Sequence, residues 1–230
     1  MSLLSALDDP RRGYSAAVAY SANLGDGVPN DPSYWEFFRE QAAGKVAVVV
    51  WNGNQHQDAF LLRPTPPFRV FHQAVTEEQA ASDGVWIPSS LLREYWDGTF
   101  SEFSTLVSNL KERSKVVVVG TPQPKPLEFV LGALARDPYF VDRARDLNLP
   151  IQASSITSGA TRLAMWHVIQ DEMRRRTLDV GAIFVAVPSV AADSRGYLAS
   201  KFSNPDVTHA NAEFGTLMWE TVQQALAGGL

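Results

Sequence analysis

Short apolar runs recur along the chain, each closed by Gly, Pro, Asn or Asp, with amphipathic stretches between them. Val46 to Trp51 and Val116 to Val119 are unbroken apolar runs, the pattern of strands covered on both faces. Ile183 to Val187, ended by Pro188, is a third, and Ala16 to Tyr20 is a fourth that breaks at Asn23-Leu24-Gly25-Asp26-Gly27. Helical spacing fills the intervals. From Thr161 to Arg176 the residues Leu163, Trp166, Val168, Ile169 and Met173 fall near one side. Asp31-Pro32 opens a helix through Tyr34, Trp35, Phe37 and Phe38, with the aspartate as N-cap and the proline at the first helical position. Helices are also expected around Pro88 to Leu92, around Phe100 to Phe103, around Phe129 to Leu134 and from Asn211 to Leu226. Arg63 to Phe71 is proline-rich and reads as irregular, and Asp137 to Asn148 reads as a polar stretch.

Strands alternating with helices predict an α/β fold, a mostly parallel sheet with helices on both faces. A length of 230 residues with no internal repeat fits one domain over residues 1–230. The composition, 45% hydrophobic and 20% charged, suits a globular chain with a sizeable core. A net charge of -5 lacks the concentrated basic footprint that nucleic acid requires. The densest basic run, Arg174-Arg175-Arg176, is flanked by Asp171, Glu172 and Asp179 and reads as a solvated helix face. There is no cysteine, which excludes disulfides, thiolate metal sites and cysteine catalysis. Met1-Ser2-Leu3-Leu4 reaches Asp8-Asp9 before a signal-peptide core can form, and no apolar run approaches the ~20 residues of a bilayer span. The expectation is a cytoplasmic protein with no membrane or nucleic-acid partner, no metal and no cofactor.

Sheets of this kind bind ligands beyond the carboxyl ends of their strands. Three segments therefore matter. Asp206-Val207-Thr208-His209 sets an acid three residues ahead of a histidine, before a helix. A carboxylate there would fix the imidazole tautomer and stabilise the imidazolium, as a general base needs. The alternative is that Asp206 caps the helix and His209 is a surface residue of its first turn. Asn52-Gly53-Asn54-Gln55-His56 follows a strand, and its amides would aim donors at an oxyanion or else form an ordinary Asn-Gly turn. Gly25 and Gly27 bring backbone N–H groups to a tight loop, but with no third glycine and no following basic residue they are no nucleotide-binding fingerprint. His56 should face the same cleft as Asn54, and Trp51 is the tryptophan placed to line it. His72 reads as a surface residue, and helix packing accounts for His167. A zinc site from His56, His209 and Asp206 lacks a helical histidine pair to support it.

The order of these segments resembles the blocks of the SGNH/GDSL hydrolase superfamily. Asn23 to Gly27 is similar to its glycine block, Gly53-Asn54 to its Gly-x-Asn, and Asp206 with His209 to its last block. The stretch from Asp206 to Gly215 resembles a D-x-T-H-x-N-x-x-F-G segment of bacterial SGNH-like proteins, and Gly120 to Lys125 their proline-rich strand end. The resemblance implies a flavodoxin-like three-layer α/β/α sandwich and serine-type ester hydrolysis or acyl transfer on a carbohydrate or lipid acyl ester. His209 would be the base, Asp206 its orienting acid, and Asn54 with Gly25 or Gly27 the oxyanion hole; Gly53, His56 and Trp51 would contact substrate.

One block has no counterpart. The family's Gly-Asp-Ser strand precedes the glycine loop by on the order of 30 residues, the span of a strand–helix unit. Counting back from Gly25 runs off the start of the chain. Ser21, at the end of the first apolar run, is the serine that remains; Ser15, Ser154, Ser155 and Ser158 lack a strand-end context. The expectation is thus an SGNH-like domain whose nucleophile is missing or displaced, and which does not turn over simple esters by itself. In the family the nucleophile strand is central. Without it the runs at Ala16 and at Val46 pair directly, or a segment such as Ser2 to Leu7 fills the gap.

Overall fold

A computed structural model of the chain describes residues 39–51, 59–62, 67–75 and 84–228. The run from Ala16, the Asp31-Pro32 helix, Ser21, Gly25, Gly27, Gly53, Asn54 and His56 lie outside the described residues, and with them the question of what occupies the nucleophile strand's place.

The described strands are β1 (Val46–Val50), β2 (Phe68–Val70), β3 (Val85–Ile87), β4 (Lys115–Val119) and β5 (Ile183–Val185). The helices are α1 (Ser89–Tyr95), α2 (Asp97–Lys111), α3 (Leu127–Leu134), α4 (Pro138–Asp146), α5 (Gly159–Asp179) and α6 (Ala212–Ala227). A three-stranded sheet runs β1-β4-β5 with both pairings parallel, and β2 and β3 form a second parallel pair. The chain is a mixed α/β protein with helices packed around parallel sheets.

β4 shows why its four valines are there. Val116 and Val118 enter one core with Phe100, Phe103 and Val107 of α2 and Leu163 and Ile169 of α5. Val117 and Val119 enter another with Val185 of β5 and Phe214, Met218 and Val222 of α6. Alternate side chains of a strand point to opposite faces, so a strand with helices on both sides must be apolar throughout. β1 departs from that expectation. It hydrogen-bonds to β4 on one side and ends the described sheet order; Val46 is 45% and Val50 50% exposed, and only Val49 is buried.

Two further readings are corrected. The proline-rich stretch contains β2: Phe68 and Val70 point into the core while Arg69 lies over the Trp86 ring, 4.5 Å from its centroid. Three residues are too few for alternation to be read. The polar stretch after Asp137 is α4, with Asp137 accepting from the Tyr139 amide at 3.2 Å and Pro138 in the first turn. Phe140 and Ala144, four apart, are its only buried residues. They pack in a third core with Leu61, Leu62, Leu134 and Val207.

The arginine run on α5 is solvated at Arg174 and Arg175, but the acid it surrounds is not. Glu172 is 3% exposed and receives Arg175 and Arg176, while Arg176 reaches Asp97 of α2 at 2.7 Å. No helix among the described residues is long and apolar enough to cross a membrane.

Candidate active site

Between Phe202 and Asn211 the chain doubles back on itself. Ser203 and Ala210 form an antiparallel bridge, the Asn204 amide donates to the His209 carbonyl at 3.1 Å, and the Asn211 amide to the Phe202 carbonyl at 2.8 Å. Val207 is fully buried among Leu61, Leu134 and Phe140, which anchors the middle of this loop. With Val207 turned inward, Asp206 is half-covered and the His209 side chain stands 72% exposed.

The Asp206 carboxylate organises the loop. Its Oδ1 accepts from the amides of Thr208 at 2.9 Å and His209 at 2.7 Å, and its Oδ2 from Asn204 Nδ2 at 2.6 Å. His209 Nδ1 lies 3.2 Å from Oδ2. Burial by itself pushes the Asp206 carboxyl up. The His209 amide, the Asn204 amide group and the charges of Lys125 and His209 outweigh it and bring the carboxyl down to about 2. An ionised carboxylate only accepts, so a hydrogen bond across this pair requires the proton on Nδ1, a nitrogen that also has Thr208 Oγ1 at 3.4 Å. Nε2 has no hydrogen-bond partner among the described residues.

Asp206 does not cap α6. That role belongs to Asn211, whose Oδ1 accepts from the amides of Glu213 and Phe214 at 3.1 and 3.2 Å. The helix begins at Ala212, so His209 precedes it rather than sitting in its first turn. The Asp206 side chain instead binds the amides of its own loop, with the His209 ring beside Oδ2.

Lys125 reaches this loop from the segment that leaves the carboxyl end of β4. Its ammonium is fully buried, donates to the carbonyls of Asn204 at 2.6 Å and Asp206 at 2.5 Å, and lies 3.6 Å from Asp206 Oδ1. The Phe129 ring covers it at 4.7 Å. Burial brings the ammonium down to about 8, against the pull of Asp206. The segment that carries Lys125 is itself fixed. Gln170 of α5 accepts from the Thr121 amide at 3.1 Å and donates to Thr121 Oγ1 at 2.8 Å, and Trp166 donates to the Thr121 carbonyl at 3.0 Å. Arg162, fully buried, donates to the Lys125 carbonyl at 2.9 Å. A Cβ at Gly120 would stand 2.8 Å from Gln170 Oε1 and 3.3 Å from the Val187 amide nitrogen, so a side chain there would displace the Gln170 amide.

Sequence reasoning placed Lys125 only within a proline-rich strand end and missed both its burial and Asn204. The available signal was a lone lysine between two prolines directly after a buried strand. Trp51 lies at the carboxyl end of β1 and packs edge-on against Phe103, ring centroids 5.4 Å apart, with its Nε1 buried and unpartnered. His72 is not a surface residue: its side chain is 10% exposed, its Nε2 meets Asp171 Oδ2 at 3.0 Å, and its ring stacks on His167 at 4.7 Å. The Ala74 amide donates to His72 Nδ1 at 3.1 Å, which makes Nε2 the protonated nitrogen. Ser158 caps α5 through a bond from the Thr161 amide at 3.2 Å. No group of three or more His, Asp or Glu side chains suited to a metal occurs among the described residues. A cleft of about 390 Å³ lined by Glu128, Phe129, Gly132, Arg136, Ser203 and Pro205 borders the same loop. No family model matches the chain, and no curated protein matches its sequence.

Proposed function

We propose that this chain is an SGNH-type, flavodoxin-like domain of ester chemistry, a hydrolase or acyl-transfer enzyme of carbohydrate or lipid acyl esters whose nucleophile is missing or displaced. The observation that carries the reading is His209 Nδ1 at 3.2 Å from an ionised Asp206, with Nε2 unpartnered on an exposed ring. In that arrangement Nε2 takes the proton of an attacking hydroxyl, and Asp206 holds the tautomer and stabilises the imidazolium. Asn54 with Gly25 or Gly27 would bind the developing oxyanion, and Gly53, His56 and Trp51 would contact the substrate. Ser21 is the candidate hydroxyl within the chain. The activated hydroxyl attacks the acyl carbonyl, the ester C–O bond breaks as the imidazolium returns its proton to the departing alcohol, and water or a second alcohol resolves the acyl-enzyme.

A second reading, a ligand-binding domain that keeps the cleft without catalysis, draws on one observation. Among the described residues no serine hydroxyl bonds to His209, whose ring meets only Asp206 and Thr208. A fluorophosphonate probe decides between the two. A serine adduct that forms in the wild type and not in His209→Ala supports the enzyme and identifies the nucleophile. A folded protein that forms no adduct supports the binding domain.

A further inference from the structure

We propose that Lys125 is the positioning residue of the Asp206–His209 pair, an inference that rests on reading that pair as an acid–base couple. The loop that carries the pair belongs to neither sheet. Its two ends are joined by the bridge between Ser203 and Ala210 and by two flanking backbone bonds. At its turn, only Val207 enters the core as an apolar anchor. The orientation of the carboxylate is left to polar contacts.

Lys125 supplies them. The two carbonyls it holds belong to Asn204 and Asp206, the residue whose amide donates to the carboxylate and the residue that bears the carboxylate. A shift of the ammonium therefore moves both the acid and its neutral partner, and through Asp206 Oδ1 the backbone amide of His209. The lysine is not free to shift, because its own carbonyl is bound by the buried Arg162 and the preceding Pro124 carbonyl by the Leu198 amide at 3.1 Å. The chain of contacts runs from α5 through the β4–α3 connection to the loop.

The energetics point the same way. Burial works against the charged ammonium, which falls to about 8 from its ordinary 10.5. Between these values the unfolded chain binds more protons than the folded one, so this group's linkage makes the fold more stable as pH rises through that window. The charge is thus a burden on the fold and a benefit to the carboxylate. The ionisable groups facing it are Asp206, and through it His209, from the loop; Arg162 of α5 is joined to it through a carbonyl, and Glu128 of α3 acts on Arg162.

The test is NMR of the full chain in three forms, wild type, Lys125→Met and Asp206→Asn. The readouts are the 15N shifts of the His209 ring, which report its tautomer, and hydrogen exchange of the Thr208 and His209 amides. In Lys125→Met, with the amide shifts of β4 and α6 retained, the Nδ1–H tautomer is expected to lose about tenfold in relative population, and both amides to exchange at least about tenfold faster. In wild type the His209 ring shifts are expected to follow the titration of Lys125, whose ammonium burial brings down to about 8. Unchanged tautomer and exchange in Lys125→Met overturn the proposal. If that variant does not fold, the same two readouts are taken in Lys125→Gln, where unchanged tautomer and exchange likewise overturn it. Asp206→Asn separates the two claims. If it alters the tautomer and Lys125→Met does not, Lys125 alone loses its role. If it leaves the tautomer unchanged, the acid–base reading falls and this inference with it.

Discussion

Asp206 grips His209 twice, its Oδ1 accepting the backbone amide at 2.7 Å while its Oδ2 stands 3.2 Å from the ring Nδ1. One carboxylate thus fixes both the main chain from which the imidazole springs and the nitrogen that the imidazole turns inward. A spacing of three residues allows this because the intervening Val207 is drawn into the core and Thr208 N–H shares Oδ1 at 2.9 Å. The histidine is held from one side and exposed on the other.

The depressed Asp206 carboxyl sets an acid limb of stability. Its folded value of about 2 lies below its ordinary 3.8, so the folded chain releases this proton more readily than the unfolded one. The stabilisation is present above the ordinary value and is lost as pH falls through the folded value, for a total of at most about 2 kcal/mol before solvent screening. Urea denaturation between pH 2 and 5 is expected to show this slope in wild type and to lack it in Asp206→Asn.

Glu172 is the charge that α5 cannot lose. Burial pushes its carboxyl up, but hydrogen bonds and charge from Arg175 and Arg176 outweigh it and hold it below the usual range. Removing the carboxylate leaves the mostly buried Arg176 with Asp97 as its remaining acid and Ser104 Oγ at 3.4 Å. Glu172→Gln is expected to destabilise by about 3 kcal/mol, as breaking one partner of a buried pair does. Asp97→Ala removes an exposed partner and is expected to lose under about 1 kcal/mol. Equal guanidinium midpoints for the two variants would refute the distinction.

The glycine and glutamine that shape the end of β4 should be coupled. Gln170→Ala leaves the Thr121 amide without its acceptor, a loss of about 1–3 kcal/mol. Gly120→Ala drives a methyl against Gln170 Oε1. In the Gln170→Ala background that collision is gone, so Gly120→Ala is expected to be less damaging there than in wild type. A double-mutant cycle on unfolding free energies reads the difference, and strict additivity would count against it.

His167 gives a second pH effect, at milder acidity. Burial above all, with the neighbouring His72, lowers its imidazole to about 4, against the pull of Asp171. The unfolded chain therefore binds more protons between about 4 and the ordinary 6.5, and folding weakens as pH falls through that window. Melting temperatures recorded from pH 7 down to 4 should fall less steeply in His167→Phe, which keeps a ring against His72.

The parallel sheet was legible because valine runs need no partner to be recognised. Val116 to Val119 read as a strand covered on both faces, and its side chains do divide between two cores. What failed to show in the sequence depends on neighbours. β2 has only three residues. α4 carries the same Asp-Pro start as the helix expected at Asp31, yet its many charges hid the Phe140–Ala144 stripe. α5 reads as one-sided, but it is packed around most of its circumference and buries Arg162 and Glu172 beside its apolar residues. At the site, Asp206 and His209 were readable as a spacing. Lys125 was not, because a lysine is normally solvated and only the fold reveals that this one has carbonyls in place of water.

The 15N spectrum of the His209 ring tests the central claim most directly. If Asp206 orients His209 as a base, the wild-type ring carries its proton on Nδ1 with Nε2 bare, and Asp206→Asn shifts the population toward Nε2–H. A wild-type ring protonated mainly on Nε2, unchanged by that substitution, would contradict the account.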